Sequence, residues 1–402
     1  VSTGLKTTGR VALFIRSLKG NGAERSTANL AAALAGRGVE VDLVLVRAEG
    51  PFLKDVPTSV RIVDLKTRSG LPVLSLARSR FSDLMALTPV IGLNPPLSLG
   101  AIPALSAYLR ETKPKALLSA LDLCNVAAVI AGDISGTDTR IVLSQRNHPS
   151  VHHEAATDAK VSNRSPLFNR FYGRADAIVA VSDGVADDLA AYAGLPRSRI
   201  RTIYNAVYND ALVAAAAQEP DHPWFREPGG PMILAAGKLK QQKDFPTLLR
   251  AFAKVRAARP ARLVILGEGP DREALLSLVA ELGLQDSVSL PGFAQNPFAM
   301  MARANLFVLS SAFEGLPGVL IQALCCGCPV VATDCPSGPM EILEGGRHGA
   351  LVRVGDSDAM ASEIASALDA PPDRAALKAR GAEFSGEKAA DAYLSVMLGE
   401  TS

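Results

Sequence analysis

The sequence predicts an α/β protein built from two doubly wound parallel-sheet domains that face each other across a cleft. Three observations predict it. The order strand, Gly-containing loop, Ala/Leu-rich helix, strand runs from Arg10 and returns from Pro231. The strands in both copies are continuous apolar runs, which belong to parallel sheets covered by helices on both faces. A Pro/Gly-rich stretch without any strand pattern separates the two copies, and 402 residues exceed what one ordinary core holds.

In order along the chain, VALFIRSL reads as a buried strand, KGNGAERS as a loop, TANLAAALAGRG as a helix closed by Gly36 and Gly38, and VEVDLVLV as a second strand. KALLSAL, RIVLSQ and AIVAVS continue the first half. In the second half MILAAG, KLKQQKD, FPTLLRAFAKVRAARP and RLVILG repeat the unit, and VSLPG, LFVLSS and PVVAT extend it. The expected domains are residues 1–210 and 231–383, joined by a linker over 211–230 in which Glu219–Pro231 admits no strand. A helix over about 384–402 is expected to pack back on the first half.

Composition bounds the class. With 48% hydrophobic and 20% charged residues the chain is globular, not disordered. Residues 1–120 carry 16 Lys/Arg against 8 Asp/Glu and the remainder 26 against 32, so a basic first half precedes an acidic second half. That asymmetry suits contact with an anionic membrane surface; nucleic acid is not expected, because aromatics are 5% and no basic stripe is interleaved with them. VSTGLKTTGR has no apolar signal core, which favours a cytoplasmic location, peripheral on the inner face of the plasma membrane. Residues 84–109 are uncharged and long enough to span a bilayer, yet Pro89, Pro95, Pro96 and Pro103 would break a spanning helix. They read as broken helices and a loop, either packed in the core or touching a membrane.

Three loops at strand ends carry the candidate chemistry. In KGNGAERS, Gly20 and Gly22 would let backbone amides approach an anion at a helix N-terminus, or form only a tight turn. A dinucleotide fingerprint would want glycine where Arg25 stands and an acid where Arg47 stands, which disfavours NAD. In the second loop Gly237 precedes Lys238 and Lys243, with Asp244 as helix N-cap and Pro246 in the first turn. Two cations beside free helix amides suit a diphosphate, the alternative being a solvated basic loop. In the third, Glu314 ends a strand and Gly315, Leu316, Pro317, Gly318 and Val319 lead into a helix carrying Gln322. A carboxylate beside exposed amides can hold sugar hydroxyls while the amides hold phosphate, a combination that a tightly packed strand–helix–strand corner alone explains poorly.

These motifs together resemble the retaining glycosyltransferases of family 4. NGAER is similar to their GGAE/R loop, and Lys238-x4-Lys243 to their Arg/Lys-x4-Lys pair for the donor diphosphate. GEGPDREAL is similar to their G-x-G-P segment, and EGLPGVLIQALCCGCPVVATDCPSGPMEIL to the region of their E-x7-E motif. FYGRADAIVAVSDGVADDL and RIRTIYNAV resemble the end of their first domain. The resemblance implies the GT-B fold, with an acceptor-binding first domain and a donor-binding second domain. It implies that Glu314 contacts the transferred sugar and that Gln322 stands where the family has a second glutamate for the ribose, a departure from the pattern. The family often places a histidine near the reacting sugar; in SQRNHPSVHH the choice falls on His148 over His152 and His153, against the alternative of a surface histidine.

The implied activity is hexosyl transfer from a nucleotide diphospho-sugar, with a UDP-sugar expected, to a hydroxyl of a glycan or lipid-linked acceptor with retention, as in envelope polysaccharide, lipopolysaccharide or glycolipid synthesis. No metal is expected at the diphosphate and no cofactor beyond the nucleotide-sugar co-substrate. Cys325, Cys326, Cys328 and Cys335 lack paired C-x2-C spacing and are expected to be buried thiols, not zinc ligands. A nucleotide-sugar epimerase or hydrolase of the same fold, or a non-catalytic homologue encouraged by Gln322, stays open.

Overall fold

The computed structural model describes residues 9–20, 22–154, 165–227 and 229–400; Asn21 of the first loop and the leading residues 1–8 lie outside them. The chain divides into two compact units, residues 1–206 with 386–402, and residues 207–385.

In the first unit, β1 (Arg10–Ile15), β2 (Glu40–Leu45), β3 (Val60–Asp64), β4 (Ala116–Ala120), β5 (Arg140–Gln145), β6 (Ala177–Ala180) and β7 (Ile200–Thr202) form one sheet in the order β3-β2-β1-β4-β5-β6-β7. Every pairing is parallel. In the second, β8 (Met232–Ala236), β9 (Arg262–Leu266), β10 (Val288–Gly292), β11 (Leu306–Leu309), β12 (Val330–Thr333) and β13 (Ala350–Val352) follow the order β10-β9-β8-β11-β12-β13, again all parallel. The central strands are buried on both faces, as their unbroken apolar runs require. In each sheet the strand order reverses once, between β1 and β4 and between β8 and β11, and such reversals open a crevice at the carboxyl ends.

The terminal helix Gly386–Leu398 belongs to the first unit. Ala389, Ala390, Tyr393, Leu394, Val396 and Met397 join the core beneath β1, β4 and β5, while Arg37 makes a bidentate bond to Asp391 at 2.6 and 2.8 Å. The stretch expected as a linker is part of the second unit instead. Asn209 caps a helix, Asp210–Ala216, whose Ala215 carbonyl accepts from Asn296; Arg303 holds the Gln218 carbonyl at 2.6 Å, and His222 reaches Ser289 at 3.1 Å. These side-chain bonds tie down backbone that a Pro/Gly/Ala composition leaves ambiguous.

Residues 84–109 form helices Phe81–Ile91, Leu97–Gly100 and Ile102–Thr112. Leu87, Val90, Ile91, Leu99, Ile102, Leu105 and Leu109 are buried, so most of the segment packs in the core. Among the described residues no helix is long and apolar enough to cross a membrane.

Candidate functional site

The loops leaving β8 and β11 meet at the second unit's reversal point. Ala312 N–H donates to the Gln242 carbonyl at 2.8 Å, Gln242 Nε2 donates to the Phe313 carbonyl at 2.8 Å, and Ser310 Oγ donates to the Lys243 carbonyl at 2.7 Å. This lacing places Lys243 Nζ against Glu314 Oε1, and the same oxygen accepts from Ser311 Oγ at 2.7 Å. Glu314 is buried, so its charge is tolerated only because it is paired and hydrogen-bonded. Its Oε2 makes no hydrogen bond among the described residues and keeps contact with solvent, leaving one acceptor for a hydroxyl.

The backbone around this carboxylate is held from a third side. The loop after β12 folds back so that Ser337 Oγ donates to the Glu314 carbonyl at 2.8 Å. Gly338, at φ +94°, comes so close that an added Cβ would lie 2.5 Å from Pro317 Cδ. Under the pair, Gly267 (φ +132°) lets β9 approach the β8 loop: a Cβ there would lie 1.9 Å from the Gly237 carbonyl oxygen. Gly237 in turn accommodates the Lys243 stem, whose Cε would stand 3.1 Å from a Cβ.

The loop carries an excess of positive charge. Lys238 is exposed, Lys240 is half-buried and Lys243 is spent on Glu314, so three ammonium groups share one carboxylate. Burial, then repulsion from Lys243 and Lys238, holds the Lys240 ammonium below the usual lysine range against the pull of Glu314. The helix Gly318–Cys325 begins at the same place, and a Cβ at Gly318 would meet nothing within 4 Å, so its amide end is open. Leu316 and Pro317 are buried beneath that entrance, Gly315 with them, and Val319 and Gln322 are half-buried. The Gln322 side chain makes no hydrogen bond among the described residues.

The first unit carries its own polar groups at the carboxyl ends of its strands. Gly20 (φ +122°) does not offer its amide to a ligand; the N–H donates to Glu24 Oε2 at 2.8 Å, and Ser17 Oγ donates to Glu24 Oε1 at 3.0 Å. Gly22 opens the helix Gly22–Gly36, is exposed, and would have empty space around a Cβ. His148 Nδ1 faces Asp188 Oδ2 at 3.0 Å and Ser150 Oγ at 3.3 Å, while its Nε2 makes no hydrogen bond among the described residues. Burial raises the Asp188 carboxyl, but the bonds from His148 and Ser150 outweigh it and hold it below the usual range. His153 is buried, and its two nitrogens contact Asp122 Oδ2 at 3.0 Å and Tyr192 Oη at 2.7 Å.

The cysteines sit in packed surroundings. Cys325, Cys326, Cys328 and Cys335 are buried and unbridged, and burial pushes Cys325, Cys326 and Cys335 up to about 12, with Cys328 raised as well. Among the described residues no group of three His, Cys, Asp or Glu side chains is placed to hold a metal.

Two family profiles match in succession. "Glycosyltransferase Family 4" covers residues 20–210 and "Glycosyl transferases group 1" covers 218–384. The chain belongs to the family 4, group 1 glycosyltransferases. This glycosyltransferase is 28% identical over 397 residues to N-acetylgalactosamine-N,N'-diacetylbacillosaminyl-diphospho-undecaprenol 4-alpha-N-acetylgalactosaminyltransferase of Campylobacter jejuni, covering 97% of this chain and 100% of that one. It is 28% identical over 232 residues to the lipopolysaccharide core biosynthesis glycosyltransferase LpsE of Rhizobium meliloti, covering 56% and 65% of the two chains. Its fold is that of solved GT-B enzymes: Anabaena HepE in complex with UDP and glucose superposes with a TM-score of 0.73 at 18% identity, covering 97% of this chain and 100% of that one. Expected sugar contact Glu314 and expected diphosphate ligand Lys243 thus form one ion pair in this enzyme, an arrangement their 71-residue separation does not announce.

Sequence reading overlooked three residues. Lys240 stands between the two motif lysines; Ser311 shows only that a small hydroxyl precedes the glutamate. Arg146, directly after β5, is buried with Nη1 bonded to Ser26 Oγ at 2.9 Å and Asn205 Oδ1 at 2.6 Å, and has no carboxylate partner among the described residues. A lone arginine beside a predicted strand gives no hint of that burial.

Proposed function

We propose that this glycosyltransferase moves a sugar from a nucleotide diphospho-sugar, a UDP-sugar, to a hydroxyl of a lipid-linked or glycan acceptor, with retention of anomeric configuration. The observation that carries the reading is the Lys243–Glu314 pair with Ser311 at the β8/β11 reversal, one carboxylate oxygen engaged and the other open. Glu314 Oε2 would accept from a hydroxyl of the donor sugar. Lys243, Lys238 and the amides of the Gly318–Cys325 helix would take the charge that develops on the departing diphosphate, with Lys240 adding to the field. Ammonium groups supply that neutralisation, so the reading assigns no divalent metal to it. Gly315, Leu316, Pro317 and Val319 shape the entrance, and Gln322 would hold ribose hydroxyls as a neutral donor and acceptor. Gly22 would leave room for a phosphate at its helix, and His148, oriented by Asp188, would present Nε2 to the acceptor.

Lipid linkage is supported by the full-length Campylobacter relative, whose name specifies a diphospho-undecaprenol-linked acceptor, and by LpsE, named for lipopolysaccharide core synthesis. An inner-membrane, cytoplasm-facing site of action for envelope polysaccharide or glycolipid synthesis follows from that acceptor. The test is a reaction of purified enzyme with UDP-sugars and polyprenyl-diphosphate-linked acceptors, followed by mass spectrometry and by the anomeric NMR signal of the product. Transfer with retention, undiminished by EDTA and lost in Glu314→Gln, is expected. Donor consumption without acceptor, donor binding without product, or inversion would overturn the reading.

A further inference from the structure

Two arginines are buried among the described residues, and they are held in opposite ways. Arg380, 8% exposed, is compensated: its Nη1 meets Glu383 Oε2 at 2.6 Å and Glu344 Oε1 at 3.2 Å. Arg146, 7% exposed and just past the carboxyl end of β5, meets no acid among the described residues. Its Nη1 bonds only neutral groups, Ser26 Oγ at 2.9 Å and Asn205 Oδ1 at 2.6 Å, and its buried Nε has no partner. Nη2 makes no hydrogen bond among the described residues and keeps contact with solvent. Other withdrawn charges of the first unit carry their partners. Asp42 has Arg61, Asp83 has Arg170 and Arg174, and Asp188 has His148, on the same loop as Arg146.

A guanidinium taken out of water without a counter-charge is costly, and buried cations are normally paired. Arg146 is not needed to satisfy its own anchors. Ser26 Oγ donates to Asn205 Oδ1 at 3.0 Å, so these two groups hold each other with or without the arginine. They fix the guanidinium in place, and neither needs its charge. A bound anion would. Ser26 lies on the helix Gly22–Gly36, about one turn past its first residue. That end is open: Gly22 is exposed, and a Cβ there would meet nothing within 4 Å. The free amides of a helix start favour an anion, and a phosphate has oxygens enough for the amides and the guanidinium together.

We propose that Arg146 and the start of the helix Gly22–Gly36 bind a phosphate group of a substrate in the first unit. Nη2 would donate to a phosphate oxygen, and the phosphate would supply the counter-charge that the fold withholds. This deepens the proposed transfer reaction and rests on it in one respect, that the nucleotide donor and a lipid-linked acceptor each bring a diphosphate.

The enzyme is incubated with inorganic pyrophosphate and followed by hydrogen exchange with mass spectrometry. Protection is expected to rise at residues 22–26 and 146–150 in wild type and not in Arg146→Met, while the lysine loop at 237–243 gains protection in both. Arg146→Met should melt no lower than wild type, since it removes an uncompensated charge and leaves Ser26 and Asn205 paired. A lower melting temperature would make the arginine a structural tie and overturn the proposal. Titrations with UDP and with farnesyl diphosphate tell the two sources apart. In Arg146→Met, a loss of affinity of at least about tenfold for UDP assigns the donor's phosphate to this site, and the same loss for farnesyl diphosphate assigns the acceptor's. Unchanged affinity for both, or residues 146–150 of wild type left unprotected by pyrophosphate, would overturn the proposal. Protection at 146–150 without any at 237–243 would support it and overturn the donor site of the second unit instead.

Discussion

Lys243 ties stability to the proposed chemistry. Its ammonium neutralises a buried carboxylate, so removing it strands that charge, a loss of about 3 kcal/mol at the low end for buried pairs. Lys243→Ala should therefore lower the melting temperature of the second unit as well as transfer, whereas Lys238→Ala, at an exposed position, should lower transfer with an unchanged melting curve. Equal melting losses in the two variants would contradict these assignments. Asp83 offers a second test. Burial raises its carboxyl, but hydrogen bonds from Arg174 and Arg170 outweigh it and hold the folded-state value below the ordinary 3.8. Its contribution is then fully present above the ordinary carboxylate range and is lost as pH falls through the depressed folded value. Asp83→Asn should cost about 2–3 kcal/mol above about pH 5, the partial exposure of both arginines limiting the loss, and urea melts should show the gap from wild type closing below about pH 4. That Glu314, Lys238 and Lys243 fall just past strand ends is legible in the sequence, because spacing from a strand end is a local pattern. The Lys243–Glu314 contact and the burial of Arg146 are not, since both arise from chain segments brought together only by the sheet.

Elements were readable in proportion to how completely they are buried. The strands that stand out as apolar runs, β1, β2, β4, β5, β6, β8, β9, β11 and β12, are largely interior to the two sheets. Of the four edge strands the sequence reveals only β10, as VSLPG; β3 has one buried residue in five, and β7 and β13 are three residues long. An edge strand is held by one neighbour and needs no continuous apolar sequence. The Asp210–Ala216 helix was hidden for a related reason, because only Leu212 anchors it and polar bonds do the rest. Glycine punctuation was visible, but not which glycine is indispensable. Gly267 bears directly on the site, since at its left-handed φ a Cβ would lie 1.9 Å from the Gly237 carbonyl oxygen. Gly267→Ala should destabilise the second unit by about 2–3 kcal/mol and displace the lysine loop. A Gly22→Ala variant, with open space around the new methyl, should melt like wild type; if thermal scans show equal losses, the packing argument is wrong.

At the scale of the whole molecule, the two units do not divide the chain at one point. The last helix, Gly386–Leu398, completes the first unit, so that unit's core closes only when the end of the sequence is in place. Amphipathic spacing announced the helix but could not name its partner, because a helix face records that something covers it and not what. The contact is specific in the fold: Tyr393 is buried with its hydroxyl 3.4 Å from Ser144 Oγ on β5, and Arg140 Nε donates to the Val396 carbonyl at 3.0 Å. Truncating a fully buried aromatic leaves a cavity as well as lost apolar burial, about 3–5 kcal/mol, a large part of what a domain of this size holds. Tyr393→Ala should therefore loosen the first unit selectively. Hydrogen exchange read by mass spectrometry should show protection falling in β1, β4 and β5 while β8, β9 and β11 keep theirs. Uniform loss across both sheets would mean that the units unfold as one, and unchanged protection would mean that the terminal helix is not part of the first core.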